Sequence, residues 1–205
     1  MGTFVKICGL ACRDDVEEVG RLGPDAMGFV FWRGSKRYVD PGDVLAWTRF
    51  VPPSIRKVGV FVDAGEKEIR RVISEARLGF VQLHGDVPMD MLHRIRTHVW
   101  KAVHLDCDDP EAIRRYHVDA YIMDSYTAES PGGTGQVGDW NLARQFVATT
   151  KIPVLLAGGL TPENVEEAIR QVRPWGVDVS SGVEARPGKK DMEKVRTFIE
   201  RCRKS

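Results

Sequence analysis

The sequence predicts an α/β chain closed into a (β/α)8 barrel, on three observations. Eight short apolar runs rich in β-branched residues recur along it, segments of helical period lie between them, and its 205 residues suit one domain, 1–205, at the compact end of that fold. Strand and helix in alternation imply a parallel sheet, because parallel neighbours need crossovers of about a dozen residues or more. Eight such units can close on themselves.

Taken in order, the strand runs begin near Phe4, Ala26, Lys57, Gly79, Val99, Asp119, Pro153 and Gly176. The first helix is expected over Asp14 to Leu22 and the second over Pro41 to Phe50. Ile69, Val72, Ile73 and Ala76 form the apolar stripe of the third, and Val165, Ala168, Ile169 and Val172 that of the seventh. The fifth begins at Pro110, a suitable first-turn residue. The last is expected from Lys190, with Met192, Val195, Phe198, Ile199 and Cys202 on one side. An open doubly wound sheet is the rival fold, but its glycine-rich turn after the first strand is absent; that strand runs into Cys8-Gly9-Leu10. A long irregular stretch, Ser125 to Asp139, follows the sixth strand, and such loops are more often functional than idle.

Composition narrows the function. An apolar share of 42% with 29% charged residues is that of an ordinary globular protein, and a net charge of +1 leaves no broad basic field to attract nucleic acid. Any anion site must be local. Cys8, Cys12, Cys107 and Cys202 lack the spacing of a zinc site or a disulfide framework, so no metal is expected and a reducing cytoplasm is the natural setting. The N-terminus reaches Lys6 without the apolar core of a signal peptide, and no run is long enough to span a membrane.

Barrels of this kind work at the carboxyl ends of their strands. Those positions hold Cys8, Arg37, His84, Asp124, Gly158-Gly159 and Ser180-Ser181-Gly182. Glycines after strands seven and eight suit a phosphate, since backbone N–H groups approach an anion only where no Cβ intervenes. The alternative is that they merely turn the chain. Cys8 and Asp124 would face each other across the mouth as a base and an acid, each tuned away from its ordinary protonation. Lys6 shares the face of Cys8 and Arg37 is expected nearby, so positive charge is expected to favour the thiolate; partial burial or an anionic substrate could hold Asp124 protonated. A buried structural cysteine and a loop-capping carboxylate remain the bland readings of the pair. Asp178 is expected to form a structural ion pair with Lys6. Gln82 and His84 share a face, His84 reading as a hydrogen-bonded wall residue of the substrate pocket rather than a metal ligand, and Phe29 to Trp32 read as packing.

Several runs in order resemble the phosphoribosylanthranilate isomerase family over nearly the whole chain. They are Lys6-Ile7-Cys8-Gly9-Leu10, Ser35-Lys36-Arg37-Tyr38, Val58-Gly59-Val60-Phe61, Val81-Gln82-Leu83-His84-Gly85, Gly132-Gly133-Thr134-Gly135, Leu156-Ala157-Gly158-Gly159-Leu160 and Asp178-Val179-Ser180-Ser181-Gly182-Val183-Glu184. The resemblance implies a TIM barrel of tryptophan biosynthesis carrying out an Amadori rearrangement, with Cys8 as general base, Asp124 as general acid, Arg37 on the anthranilate carboxylate and the loops after strands seven and eight on the phosphate. It implies no cofactor. The partner is a phosphorylated small molecule, with neither nucleic acid nor membrane; a monomer is the default assembly and a homodimer the alternative. The sequence departs from the family pattern at Ala11, where threonine is common, and at Val137-Gly138, where a phenylalanine usually precedes Asp-Trp. Related aminoaldose or sugar-phosphate isomerases and epimerases, and a barrel that binds phosphate ligands without catalysis, are the competing readings.

Overall fold

The computed structural model describes residues 2–104, 110–124 and 139–205. Eight strands, β1 (Phe4–Ile7), β2 (Ala26–Val30), β3 (Arg56–Val62), β4 (Phe80–His84), β5 (His98–Val103), β6 (Ala120–Met123), β7 (Val154–Leu156) and β8 (Gly176–Val179), each start within a residue of where the apolar runs begin. All neighbours are parallel, and the ring closes where β1 pairs with β8, from Phe4 opposite Gly176 to Ile7 opposite Val179. Between them run α1 (Arg13–Leu22), α2 (Pro41–Trp47), α3 (Glu66–Ala76), α4 (Met89–Arg94), α5 (Pro110–Ile113), α6 (Trp140–Thr149) and α7 (Val165–Val172), with α8 (Met192–Lys204) last.

Two expected helix boundaries shift for local reasons. The second helix is α-helical only to Trp47; its final turn, Thr48–Phe50, tightens to a 3-10 turn, and the Thr48 hydroxyl donates back to the Val44 carbonyl at 2.7 Å. The last helix does not begin at Lys190. Lys190 belongs to an antiparallel hairpin, β9 (Glu184–Arg186) with β10 (Lys189–Lys190), and Asp191 caps the helix by accepting from the Glu193 and Lys194 amides. The fully buried Asp15 of α1 holds that hairpin in place, pairing with Lys189 and accepting from the Lys190 amide at 2.7 Å.

Strand side chains alternate between two cores. Outward-facing Val5, Ile7, Met27, Val81 and Val177 pack under the helical stripes, including Ile69 and Val72 of α3 and Val165, Ala168, Ile169 and Val172 of α7. Each large side chain buried in this way contributes about 1.5–3 kcal/mol. Inward-facing Phe4, Val58, Trp100, Ile122 and Leu155 make an apolar floor inside the ring. Phe4 stacks on Trp175 at 4.3 Å and meets Trp100 edge-on, while the Arg56 guanidinium covers it from below. Among the described residues, no helix is long and apolar enough to cross a membrane.

Candidate active site

The period of two that builds the floor also builds the mouth. On β1 the inward positions are Phe4, Lys6 and then Cys8, just past the strand; on β4 they are Phe80, Gln82 and His84; on β6 they lead to Asp124; on β8 they are Gly176, Asp178 and Ser180. Cys8, Arg37, His84, Asp124, Gly158, Gly159, Ser180, Ser181 and Gly182 all line one cavity at this end of the barrel, so the structure brings every one of the expected site residues together.

Cys8 is anchored by its amide, which donates to the Val179 carbonyl at 2.8 Å, and by the absence of a side chain across from it. A Cβ on Gly28 of β2 would lie 2.6 Å from the Cys8 sulfur, so Gly28 makes the space that the thiol occupies. Asp124 is tied to β5: its amide donates to the Val103 carbonyl at 3.2 Å, and its own carbonyl lies 3.3 Å from His104 Nδ1.

Below the mouth lies a polar row that spans the barrel. Buried Lys6 donates to Asp178 Oδ2 at 2.7 Å and to Gln82 Oε1 at 2.8 Å, and Gln82 Nε2 lies 2.8 Å from His84 Nε2. Because the Gln82 oxygen accepts from Lys6, its nitrogen must donate, which makes His84 Nε2 the acceptor and leaves the ring proton on Nδ1. Burial, aided by His104, Lys101 and Lys6, pulls the His84 pKa down to about 3, so the ring is neutral near pH 7. The Lys6–Asp178 ion pair expected from the sequence is present. Its effect on Cys8 is not the one expected. Burial dominates and pushes the thiol above its ordinary range; Lys6 opposes this, Asp178 reinforces it, and the net direction is up.

Arg37 also differs from the simple picture of a cation waiting for an anion. Its Nε and Nη2 donate to Glu184 Oε1 and Oε2, both at 2.7 Å, and buried Lys190 reaches the same carboxylate at 3.1 Å and the Ser180 carbonyl at 3.0 Å. Burial alone would raise the Glu184 pKa, but Arg37 and Lys190 overcome it and hold the carboxyl below its usual range. Two cations against one anion leave the cluster net positive while Lys190 is protonated. The bidentate grip uses the Nε and Nη2 edge of the guanidinium, and Nη1 has no acceptor among the described residues. The stem of Arg37 crosses Gly9, where an added Cβ would come within 2.5 Å of Arg37 Cδ and 2.8 Å of Ser180 Oγ.

After β7, Gly158 and Gly159 take φ of 80° and 63°, and after β8 the chain makes a 3-10 turn over Ser181–Val183. A Cβ on Gly182 would collide with the Leu160 carbonyl, so the two turns are interlocked and both present bare backbone to the cavity. Trp32 packs against Val30 and Val60 as expected, and with them and Val62 it also forms the apolar wall of the cavity. Sequence reasoning gave no role to Gly28, Glu184 or Lys190, although Glu184 closes one of the motif runs. The glycine run 132–135, Val137-Gly138 and Cys107 lie outside the described residues. Among the described residues no group of three or more His, Cys, Asp or Glu is placed to hold a metal ion.

A cavity with a thiol, a carboxyl group, a guanidinium edge and bare amides can move protons on a doubly anionic ligand. Residues 5–201 match the family model described as N-(5'-phosphoribosyl)anthranilate (PRA) isomerase. The chain is similar to the N-(5'-phosphoribosyl)anthranilate isomerase of Trichlorobacter lovleyi, with 43% identity over 98% of each chain. It is also similar to the crystal structure of the phosphoribosyl anthranilate isomerase from Thermotoga maritima, with TM-score 0.90 and 40% identity over 99% of this chain and 100% of that one. A further structure, the same kind of isomerase in complex with reduced 1-(o-carboxyphenylamino)-1-deoxyribulose 5-phosphate, matches with TM-score 0.85 and 37% identity over 99% and 100% of the two chains. A structure of monomers generated from the dimeric Thermotoga maritima enzyme matches with the same score, identity and coverage.

Proposed function

The chain belongs to the N-(5'-phosphoribosyl)anthranilate isomerase family, and from that premise we propose which of its residues carry the reaction. It is an isomerase of tryptophan biosynthesis, turning the aminoaldose N-(5-phosphoribosyl)anthranilate into the aminoketose 1-(2-carboxyphenylamino)-1-deoxyribulose 5-phosphate. Asp124 is the general acid: it protonates the furanose ring oxygen as the bond to C1 breaks, leaving an iminium between C1 and the anthranilate nitrogen. Cys8 is the general base: its thiolate takes the C2 proton, and the C2–H electrons flow into the C1–C2 bond while the iminium pair returns to nitrogen. The resulting enolamine tautomerises to the ketone. Both steps are proton transfers within a closed electron count, so the mechanism asks for no cofactor. Each positioned transfer typically contributes about 10²–10⁴-fold.

The observation that carries this reading is that Cys8 and Asp124, from strands on different sides of the ring, line one cavity with the glycine turns after β7 and β8. Those turns suit the phosphate. The Nη1 and Nη2 edge of Arg37 suits the anthranilate carboxylate, and Trp32 with its valine neighbours suits the aromatic ring. His84, neutral and carrying its proton on Nδ1, contributes a donor to the wall rather than a charge. A barrel that closes on its own eight strands, with 1–205 as one domain, has a monomer as its default working unit and a homodimer as the alternative. A base that must remain a reduced thiol favours the cytoplasm.

Fluorescence of freshly generated N-(5-phosphoribosyl)anthranilate tests the assignment: the purified protein is expected to accelerate its change, and Cys8→Ala and Asp124→Asn each to abolish that acceleration while phosphate-ligand binding persists. Near-parental turnover in both variants would overturn the assigned pair. Binding without turnover in the parent would favour a barrel that has lost catalysis.

A further inference from the structure

Asp178 reads at first as half of a structural ion pair. One of its oxygens does not fit that role. Oδ2 accepts from Lys6 at 2.7 Å, whereas Oδ1 is, among the described residues, the one buried side-chain polar atom with no hydrogen-bond partner. Leaving a buried acceptor unpaired costs the full desolvation of that atom, so native structures rarely do it without a function. Asp178 also lines the cavity that holds Cys8 and Asp124, so its carboxylate borders the place a ligand would occupy.

The chemistry of the site limits what can satisfy it. As the carboxylate of an ion pair, Asp178 only accepts, and it repels both the phosphate and the anthranilate carboxylate of the substrate. The donors that remain on the substrate are the pentose hydroxyls and the amine. Strand register then selects among them. Asp178 sits opposite Lys6 on the adjoining strand, and Cys8 is the next inward position above Lys6, so the Asp178 carboxylate lies one row beneath the thiol on the neighbouring strand. From there it underlies the carbon that presents its hydrogen to Cys8. Its orientation is fixed in advance, because Lys6 is held in turn by Gln82, and Gln82 by His84, across three strands.

We infer that Asp178 is a substrate-binding residue whose Oδ1 accepts a hydrogen bond from the C2 hydroxyl, holding C2 so that its hydrogen faces the Cys8 sulfur. This rests on the isomerase reading above. It gives the polar row a purpose beyond packing: Lys6 supplies the counter-charge that keeps an acceptor-only group in a buried place, and the hydroxyl completes it.

The test uses three ligands on the full-length protein: the reduced product analogue, reduced 1-(o-carboxyphenylamino)-1-deoxyribulose 5-phosphate, and its 2-deoxy and 3-deoxy counterparts. The parent protein is expected to bind the full analogue at least about tenfold more tightly than the 2-deoxy compound, as befits a hydrogen bond to a charged acceptor. Asp178→Asn keeps an oxygen for Lys6 but turns a donor toward the ligand, and is expected to bring that ratio to within about threefold while the melting temperature shows that the fold persists. A merely structural aspartate would weaken both ligands alike and leave the ratio unchanged, which would overturn the proposal. Equal binding of the full and 2-deoxy analogues by the parent would overturn it too, and a deficit confined to the 3-deoxy compound would move the contact to the neighbouring hydroxyl and refute the C2 assignment. If the variant fails to fold, the deoxy series on the parent protein still decides. A parent that binds none of the three would sink the isomerase reading itself, a result distinguishable from all of these.

Discussion

The floor and the mouth of this barrel are made by the same strands, two to four residues apart, and they spend their side chains differently. Phe4, Trp100, Ile122 and Leu155 at the floor are apolar and fill space; Cys8, His84, Asp124 and Ser180 at the mouth are polar and surround a cavity. Between them, Lys6, Gln82 and Asp178 form a layer that is buried like the floor and charged like the mouth. Position along the strand thus separates residues that hold the fold from residues that do the chemistry, and the middle layer is where the two roles overlap.

That contrast can be broken most sharply at the mouth. Cys8→Ala or Asp124→Asn is expected to cost kcat about 10²–10⁴-fold with the melting temperature almost unchanged, read from initial rates and calorimetry. The floor should behave in the opposite way: Trp100→Ala is expected to destabilise the protein by about 3–5 kcal/mol in denaturant unfolding, with kcat per folded molecule preserved. A loss of catalysis at the floor as large as that at the mouth would erase the distinction. Gly28→Ala tests the boundary, because the new Cβ would force the Cys8 sulfur to move; misplacement of a reacting group by about 1 Å can cost about 100-fold, so a rate loss well above the stability loss is expected.

Acid and alkali sharpen the comparison more gently. His84 has its folded pKa pulled down to about 3, below the ordinary 6.5, so between those values the unfolded chain binds more protons than the folded one. Its contribution is fully present above the ordinary value and is lost as pH falls from there toward about 3. His84→Gln is expected to flatten that acid limb in stability measured against pH. On the alkaline side, burial raises the Cys8 thiol, so kcat/KM is expected to climb through the ordinary thiol range of about 8.5 rather than level off near neutrality. A plateau by pH 7 would mean that Cys8 is not the base in the free enzyme.

What the sequence made legible follows from what is local. Strand starts, the stripes of α3 and α7, and the ends of the strands are encoded by periods of two and 3.6, and those periods survive folding intact. The site residues could therefore be found by reading strand ends alone. The unread parts are contacts between distant segments. Nothing near Arg37 announces that Glu184, 147 positions away, already occupies one edge of its guanidinium. Asp15 and Lys190 give no local sign that they meet, so the last helix was expected to absorb a residue that the hairpin takes. Gly28 reads as an ordinary strand glycine until the thiol of the neighbouring strand is seen against it. Burial likewise reverses the expected tuning of Cys8, because a strand map locates charge but not water.

A ring of eight strands has no first or last strand, and this has a price during refolding. The seam between β1 and β8 joins segments 172 residues apart at Lys6 and Asp178, among the most entropically demanding closures in the chain. Until it forms, both strands present unpaired amides and carbonyls that a second molecule can use as a template; once it forms, the barrel offers none. Concentration should therefore penalise the yield of refolding far more than the shelf life of the finished enzyme.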